Sequence, residues 1–151
     1  MIVGILTPMN LEIVSVTKLQ TDVIGIGNAI VDVFATCDDD FLARNSMAKG
    51  AMTLVDHGAA SKLYTRMDGT TESSGGSAAN TVAGIAALGG QTSFIGKTRD
   101  DELGEIFRND IQSLGVHFDT PPTTDGAGTA RCLVFVTDDA QRTMATYLGA
   151  C

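Results

Sequence analysis

The chain has 151 residues, enough for one domain with a real core, and its 44% hydrophobic and 19% charged residues are ordinary for a globular protein. The formal net charge is −8 and the ten Lys and Arg are scattered, so the basic stripe of a nucleic-acid binder is missing. An anionic ligand would have to be held by local groups such as amide nests, an arginine or a metal ion.

Three cysteines, Cys37, Cys132 and Cys151, form no CxxC pair. Neither a disulfide framework nor a zinc site follows, and a reducing cytoplasm is the expected compartment. The opening MIVGILTPM is apolar but short and lacks a basic stretch, so it reads poorly as a signal peptide. No segment is long enough to suggest a membrane span.

The first twenty-two residues are weakly patterned and read as an arm or strand. Val23 to Gly27 (VIGIG) is a short apolar run expected to be a buried strand. Val31 to Ala35 and Ala51 to Val55 read as further strands, paired as a hairpin. Between them, CDDDF reads as a solvated acidic loop, because three consecutive carboxylates point in different directions. His57 to Met67 carries Ala60, Leu63 and Met67 at helical spacing. Ala79, Val82, Ala83, Ala86 and Ala87 share one helical face, and Gly89 with Gly90 stops that helix. Small residues on this face allow close packing. Thr92 to Ile95 reads as a strand. Asp101 to Leu114 is an amphipathic helix with Leu103, Ile106, Phe107, Ile111 and Leu114 as its stripe. Ala130 to Thr137 and Thr143 to Leu148 are strands joined by the polar turn TDDAQR. Strands alternating with helices predict an α/β layered sheet.

Two segments carry candidate chemistry. VIGIGNAIVD departs from the dinucleotide pattern GxGxxG, since Ile30 stands where the last Gly belongs. What remains is a strand end presenting Asn28 and Asp32. Asn both donates and accepts, and Asp accepts from two hydroxyls, a pairing suited to a polyol. The plainer alternative is a turn Asn and a surface Asp. SSGGSAANT, Ser73 to Thr81, is a glycine-rich turn opening a helix, whose free N–H groups favour an anion or hydroxyl. It lacks the GK[ST] ending of a phosphate loop. Gly75 and Gly76 allow backbone approach, and Asn80 faces the same point from the first turn. The alternative is an ordinary capped helix. TTDGAGT, Thr123 to Thr129, reads as a turn on its Asp-Gly step.

In order and spacing, GIGNAIVD, KGAMTLVD, SGGSAANTVAGIAALGG, FIGKTRDDELGEIFRNDIQSLGV and ARCLVFVTDDAQRTMATYLGA resemble the PfkB, or ribokinase-type, family of sugar and nucleoside kinases. G-N-x-x-x-D and the R-x-x-x-x-x-L-G-A ending are most similar to its adenosine-kinase-like branch. The resemblance covers Val23 to the last residue. It implies the N-terminal half of a three-layer α/β/α sandwich with a small β-sheet lid. It also implies transfer of the γ-phosphate of ATP, with Mg²⁺, to a hydroxymethyl group.

Carried over, Asp32 and Asn28 would hold sugar hydroxyls, and Gly75, Gly76 and Asn80 would form the substrate turn. Arg142 matches an arginine near the transferred phosphate. A homodimer through the lid is a further implied partner. Arg99 stands where the family usually has Gly. Thr123 and Thr129 stand where the late D-T-x-G-A-G-D signature has Asp, and a hydroxyl cannot replace its catalytic base. The expectation is therefore a kinase whose acceptor half lies in these residues, inactive without the remainder. A non-catalytic sugar- or nucleoside-binding module is the alternative.

Overall fold

The computed structural model describes residues 21–151. The expected arm, 1–22, lies outside the described residues except for Thr21 and Asp22. The Asp22 carboxylate accepts from the backbone N–H of Gln91 at 2.9 Å, at the head of the first parallel pair.

In chain order the elements are β1 (Val23–Ile26), β2 (Ile30–Thr36), α1 (Asp39–Arg44), β3 (Met52–Leu54), α2 (His57–Tyr64) and β4 (Thr71–Gly75). There follow α3 (Ser77–Ala87), β5 (Thr92–Ile95), α4 (Glu102–Ser113), β6 (Val116–His117), β7 (Ala130–Val136) and β8 (Arg142–Tyr147). They form two sheets. One is parallel, in the order β1-β5-β6; the other is mixed, in the order β3-β8-β7-β2-β4. The second sheet corresponds to the expected lid, and the alternation of strands and helices is the α/β arrangement the sequence predicts.

Glycine and alanine let α3 lie close on the parallel sheet. A Cβ at Gly25 would stand 2.7 Å from Val82 Cγ1, so the helix can approach β1 only where β1 has no side chain. Below α3, Phe94, Phe107 and Phe118 cluster with ring centroids 5.4–5.8 Å apart, each 2% exposed or less. This aromatic trio joins β5, α4 and the segment after β6 into one core. α4 begins at Asp101, whose carboxylate accepts from the N–H of Gly104 at 2.9 Å, an N-cap that satisfies one orphan donor. Phe107 and Ile111 are buried as the helical stripe requires, while Leu114 is 47% exposed.

Four expectations need correction. CDDDF is solvated as expected, all three carboxylates being exposed, but it is not a loop. Asp38 caps α1, accepting from Phe41 N–H at 2.6 Å, and Asp39 and Asp40 occupy its first turn. Carboxylates there are favoured by the helix dipole. The strands near Val31 and Ala51 do not form a hairpin. β2 pairs with β7 in parallel and with β4 antiparallel, while β3 pairs with β8 in parallel. The β7–β8 hairpin is as expected, closed by Thr137 and Gln141 with Ala140 at φ 61°. Ser73, Ser74 and Gly75, expected in the glycine-rich turn Ser73 to Thr81, belong instead to the strand Thr71–Gly75. It sits at a sheet edge, where a polar sequence without apolar alternation is tolerated.

The fourth correction concerns β1. It is a strand, but not a buried one: Ile24 and Ile26 are 57% and 74% exposed, beside Ile95 at 48%. α3 covers the Gly25 face, and alternation sends these three isoleucines to the other face. Ile26→Thr is accordingly expected to change the stability of this chain by no more than about 0.5 kcal/mol, the usual range for a surface site. Urea denaturation would measure it. A loss of about 2 kcal/mol or more would mean that this face is covered.

Candidate functional site

Backbone register assembles the site. Alternation puts Asp32 on one face of β2, opposite Ser73 on β4 and Cys132 on β7; Cys132 in turn opposes Thr146 on β8, which opposes Leu54 on β3. Phe34, Val134, Met144 and Met52 form the neighbouring row on the same face. One half-buried carboxylate therefore stands in a largely apolar sheet face. The Thr146 hydroxyl donates to Cys132 Sγ at 3.3 Å, and burial pushes the Cys132 thiol up from its usual range.

The Asp32 carboxylate lies directly over Gly75, where a Cβ would collide with it. Burial raises the Asp32 pKa, and among the described residues no hydrogen bond or neighbouring charge offsets it. Such a carboxylate keeps its acceptor capacity for a ligand. Next to it, Gly76 is the N-cap of α3 at φ 100°, and no side chain caps that helix. A Cβ on Gly76 would come 2.6 Å from the carbonyl oxygen of Asn28. The two glycines thus bring the chain after β1, the Asp32 carboxylate and the open N-terminus of an eleven-residue helix to one point. Asn80 is exposed in the first turn of α3, its N–H bonded to the Gly76 carbonyl at 2.9 Å.

Arg142 is different. It begins β8 on the same face as Asp32, but in the row of Thr36, four positions along and two strands across. That spacing separates the Cα atoms by about 16 Å. The structure assembles Asn28, Asp32, Gly75 and Gly76, adds Asn80 at the rim, and leaves Arg142 at the far end of the lid.

The TTDGAGT segment is anchored rather than reactive. Thr129 is 2% exposed. Its hydroxyl donates to Asp101 at 2.6 Å and accepts from the N–H of Arg99 at 2.9 Å, and its N–H reaches the other Asp101 oxygen at 2.9 Å. Threonine here ties the turn to the start of α4, and Gly126 supplies a φ of 84°.

Sequence reasoning missed Asp110. From α4, its Oδ2 accepts both the N–H and the hydroxyl of Ser74, at 2.6 and 2.7 Å. The residue before the glycine pair is therefore held by a carboxylate from a distant helix. No local pattern signals it, because Asp110 and Ser74 are 36 residues apart. Asp110→Ala should free both donors and cost about 1.5–3 kcal/mol, the range for hydrogen bonds to a charged group. It should also raise amide exchange at Ser74, Gly75 and Gly76, measurable by NMR. Unchanged exchange there would show that other contacts hold the turn.

Among the described residues, no group of three His, Cys, Asp or Glu side chains converges on a metal. Nor, among them, is any helix long and apolar enough to cross a membrane.

Comparison with known proteins bears on the family and the fold. Residues 46–151 match the family model described as pfkB family carbohydrate kinase. An adenosine kinase from Sinorhizobium meliloti superposes with a TM-score of 0.80 at 55% identity, covering 87% of this chain and 40% of that one. A probable sugar kinase protein from Rhizobium etli CFN 42 gives 0.81 at 49% identity, covering 88% and 40%. A probable chloroplastic fructokinase-6 of Arabidopsis thaliana is 38% identical over 73 residues, 48% of this chain and 19% of its own length. The chain thus spans about a fifth of that fructokinase and two fifths of each solved kinase. With a family model matched over more than half its length and the ribokinase-like α/β fold in place, the chain belongs to the pfkB family of carbohydrate kinases.

Proposed function

We propose that the protein transfers the γ-phosphoryl group of ATP to a hydroxymethyl group of a sugar or nucleoside, and that residues 23–151 supply the acceptor half of that site. The observation that carries this reading is the Asp32 carboxylate, without an offsetting partner among the described residues and set over Gly75 beside the uncapped start of α3. Asp32 accepts from two vicinal hydroxyls. The Gly76 turn lets the sugar reach the backbone, and Asn28 and Asn80 bracket it.

These residues bind and orient; phosphoryl transfer is largely positioning and charge neutralisation. ATP with Mg²⁺ supplies the phosphoryl group. Arg142, at the far end of the face, suits the phosphate side better than the sugar side. The apolar row of Phe34, Val134 and Met144 beside Asp32 favours a nucleoside, whose base needs an apolar surface, over a bare sugar. Similarity to the Sinorhizobium adenosine kinase supports the same choice.

The reducing cytoplasm proposed with this reading suits three free thiols. A homodimer through the lid would cover Met52 and Leu54, now 56% and 60% exposed.

A coupled ADP-release assay with ATP, Mg²⁺ and adenosine or ribose tests the proposal. The whole protein should turn over, and the 151-residue chain should not, since no described residue is placed as base. Turnover by the chain at ordinary kinase rates refutes the second claim. The competing reading, a binding module without catalysis, predicts adenosine binding in calorimetry with no turnover by the whole protein.

A further inference from the structure

A cavity of about 230 Å³ lies beneath the lid, on the side away from Asp32. Its walls come from the α1–β3 connection, α2, β3 and β8. Met47, Val55, Leu63 and Ala145 give it an apolar floor. Lys62 and Arg66 stand at its mouth, one helical turn apart along α2 and just past its end, and both are exposed.

Among the described residues they are the only charged side chains lining it, in a chain with eighteen Asp and Glu against ten Lys and Arg. Among the described residues neither cation is in a salt bridge. Arg66 uses one guanidinium nitrogen to donate to the Asn45 side-chain oxygen, which leaves the rest of the fork free. Two like charges at the mouth of one cavity repel, and an anion between them relieves that repulsion. The apolar floor in turn would shed water onto an apolar group.

We propose that this cavity is a second ligand site, for a small monocarboxylate with an aromatic or branched apolar body. The carboxylate sits between Lys62 and Arg66, and the body on Leu63 and Ala145. A volume below the roughly 300–1,000 Å³ of drug-sized sites limits the ligand to a small body. Charge complementarity selects an anion over a cation or a neutral molecule. One floor residue, Ala145, is on β8, whose next residue Thr146 lies on the Asp32 face of the sheet. Any effect on phosphoryl transfer rests on the function proposed above; binding in this cavity does not.

The test uses phenylacetate as probe, titrated into the chain with its methionine methyl groups labelled for NMR. Met47 lines the cavity, and Met52 lies on the opposite face as a control. A saturable Met47 shift is expected with a Kd on the order of 1 mM, with Met52 unmoved. Neutral phenylacetamide should bind roughly tenfold more weakly, and Lys62→Gln with Arg66→Gln should weaken phenylacetate by about the same factor. Lys62→Gln alone, at an exposed side chain, serves if the double variant fails to fold.

The proposal is overturned by any of four results: no saturable Met47 shift at about 20 mM probe, equal affinity for the amide, unchanged affinity in the variants, or a Met47 shift that follows protein concentration without probe. The last would assign the cavity to a second copy of the chain.

Discussion

Asp32→Asn in the whole protein is expected to lower kcat/KM for a sugar or nucleoside by roughly 10²–10³-fold. Two hydrogen bonds from hydroxyls to a charged acceptor are weakened or lost, at about 1.5–3 kcal/mol each, and each 1.4 kcal/mol is about tenfold. Steady-state kinetics would show the loss mainly in KM if Asp32 only binds, and in kcat as well if it also orients the reacting hydroxymethyl. In the 151-residue chain, calorimetry with adenosine should lose its signal in the same variant. An unchanged kcat/KM would remove Asp32 from the site.

The same substitution should stabilise the fold. Burial raises the Asp32 pKa above its unfolded value, so the folded chain holds the proton more tightly than the unfolded chain does. For a carboxylate shifted this way the sign is the reverse of a salt-bridged one. Stability falls as pH rises from the unfolded pKa, about 3.9, through the raised folded value. At neutral pH the charged Asp32 is a net cost that Asn does not carry. Asp32→Asn should therefore melt above the parent at pH 7, and the gap should close below about pH 4. Thermal melts across pH read this directly. A gap that widens in acid would mean that Asp32 is stabilised as an anion. The combination of lost function and gained stability is what a strained binding group predicts, and a structural carboxylate would not show it.

Gly76→Ala should be the most damaging single methyl in the site. The position needs φ 100°, which L side chains rarely adopt, and its Cβ would stand 2.6 Å from the Asn28 carbonyl oxygen. A side chain forced into this positive-φ, extended-ψ conformation costs about 1–3 kcal/mol, and the backbone contact must be relieved by moving the chain after β1 or the start of α3. A total of roughly 2–4 kcal/mol is expected in urea denaturation. Activity should fall further than stability accounts for, because either movement separates Asn28 from Asp32. Gly75→Ala is the companion, with a different signature. Its Cβ meets the Asp32 carboxylate rather than backbone, so a rotamer change can absorb the clash. Stability should then change less, while binding is lost. If both variants bind adenosine normally, the glycine turn is not the substrate turn.

Much of the element map was legible because it depends on short-range pattern. The helical face of α3, the stripe of α4 with Phe107 and Ile111, and the β7–β8 hairpin all repeat within a few residues. α1 was also encoded locally, since Asp38 lies three residues before Phe41, yet reading CDDDF as a loop hid the cap. β4 was hidden for a different reason. TESSG has no apolar alternation, and it becomes a strand because β2 offers it an edge.

By itself, then, the sequence determined the residue chemistry of the site and its order along the chain: Asn28 and Asp32 after the first strand, the Gly75–Gly76 pair opening an alanine-rich helix, and threonines in place of aspartates at 123 and 129. Only the tertiary structure decided which of these meet. The parallel pairing of β2 with β7, about a hundred residues apart in the chain, placed Cys132 beside Asp32. The edge pairing of β4 put Gly75 beneath its carboxylate, Asp110 fixed Ser74 from a separate helix, and Arg142 was left at the far end of the face. The physical reason is range. Periodicity and turn chemistry act over a few residues, whereas strand register and side-chain placement are fixed by contacts between segments that no local pattern links.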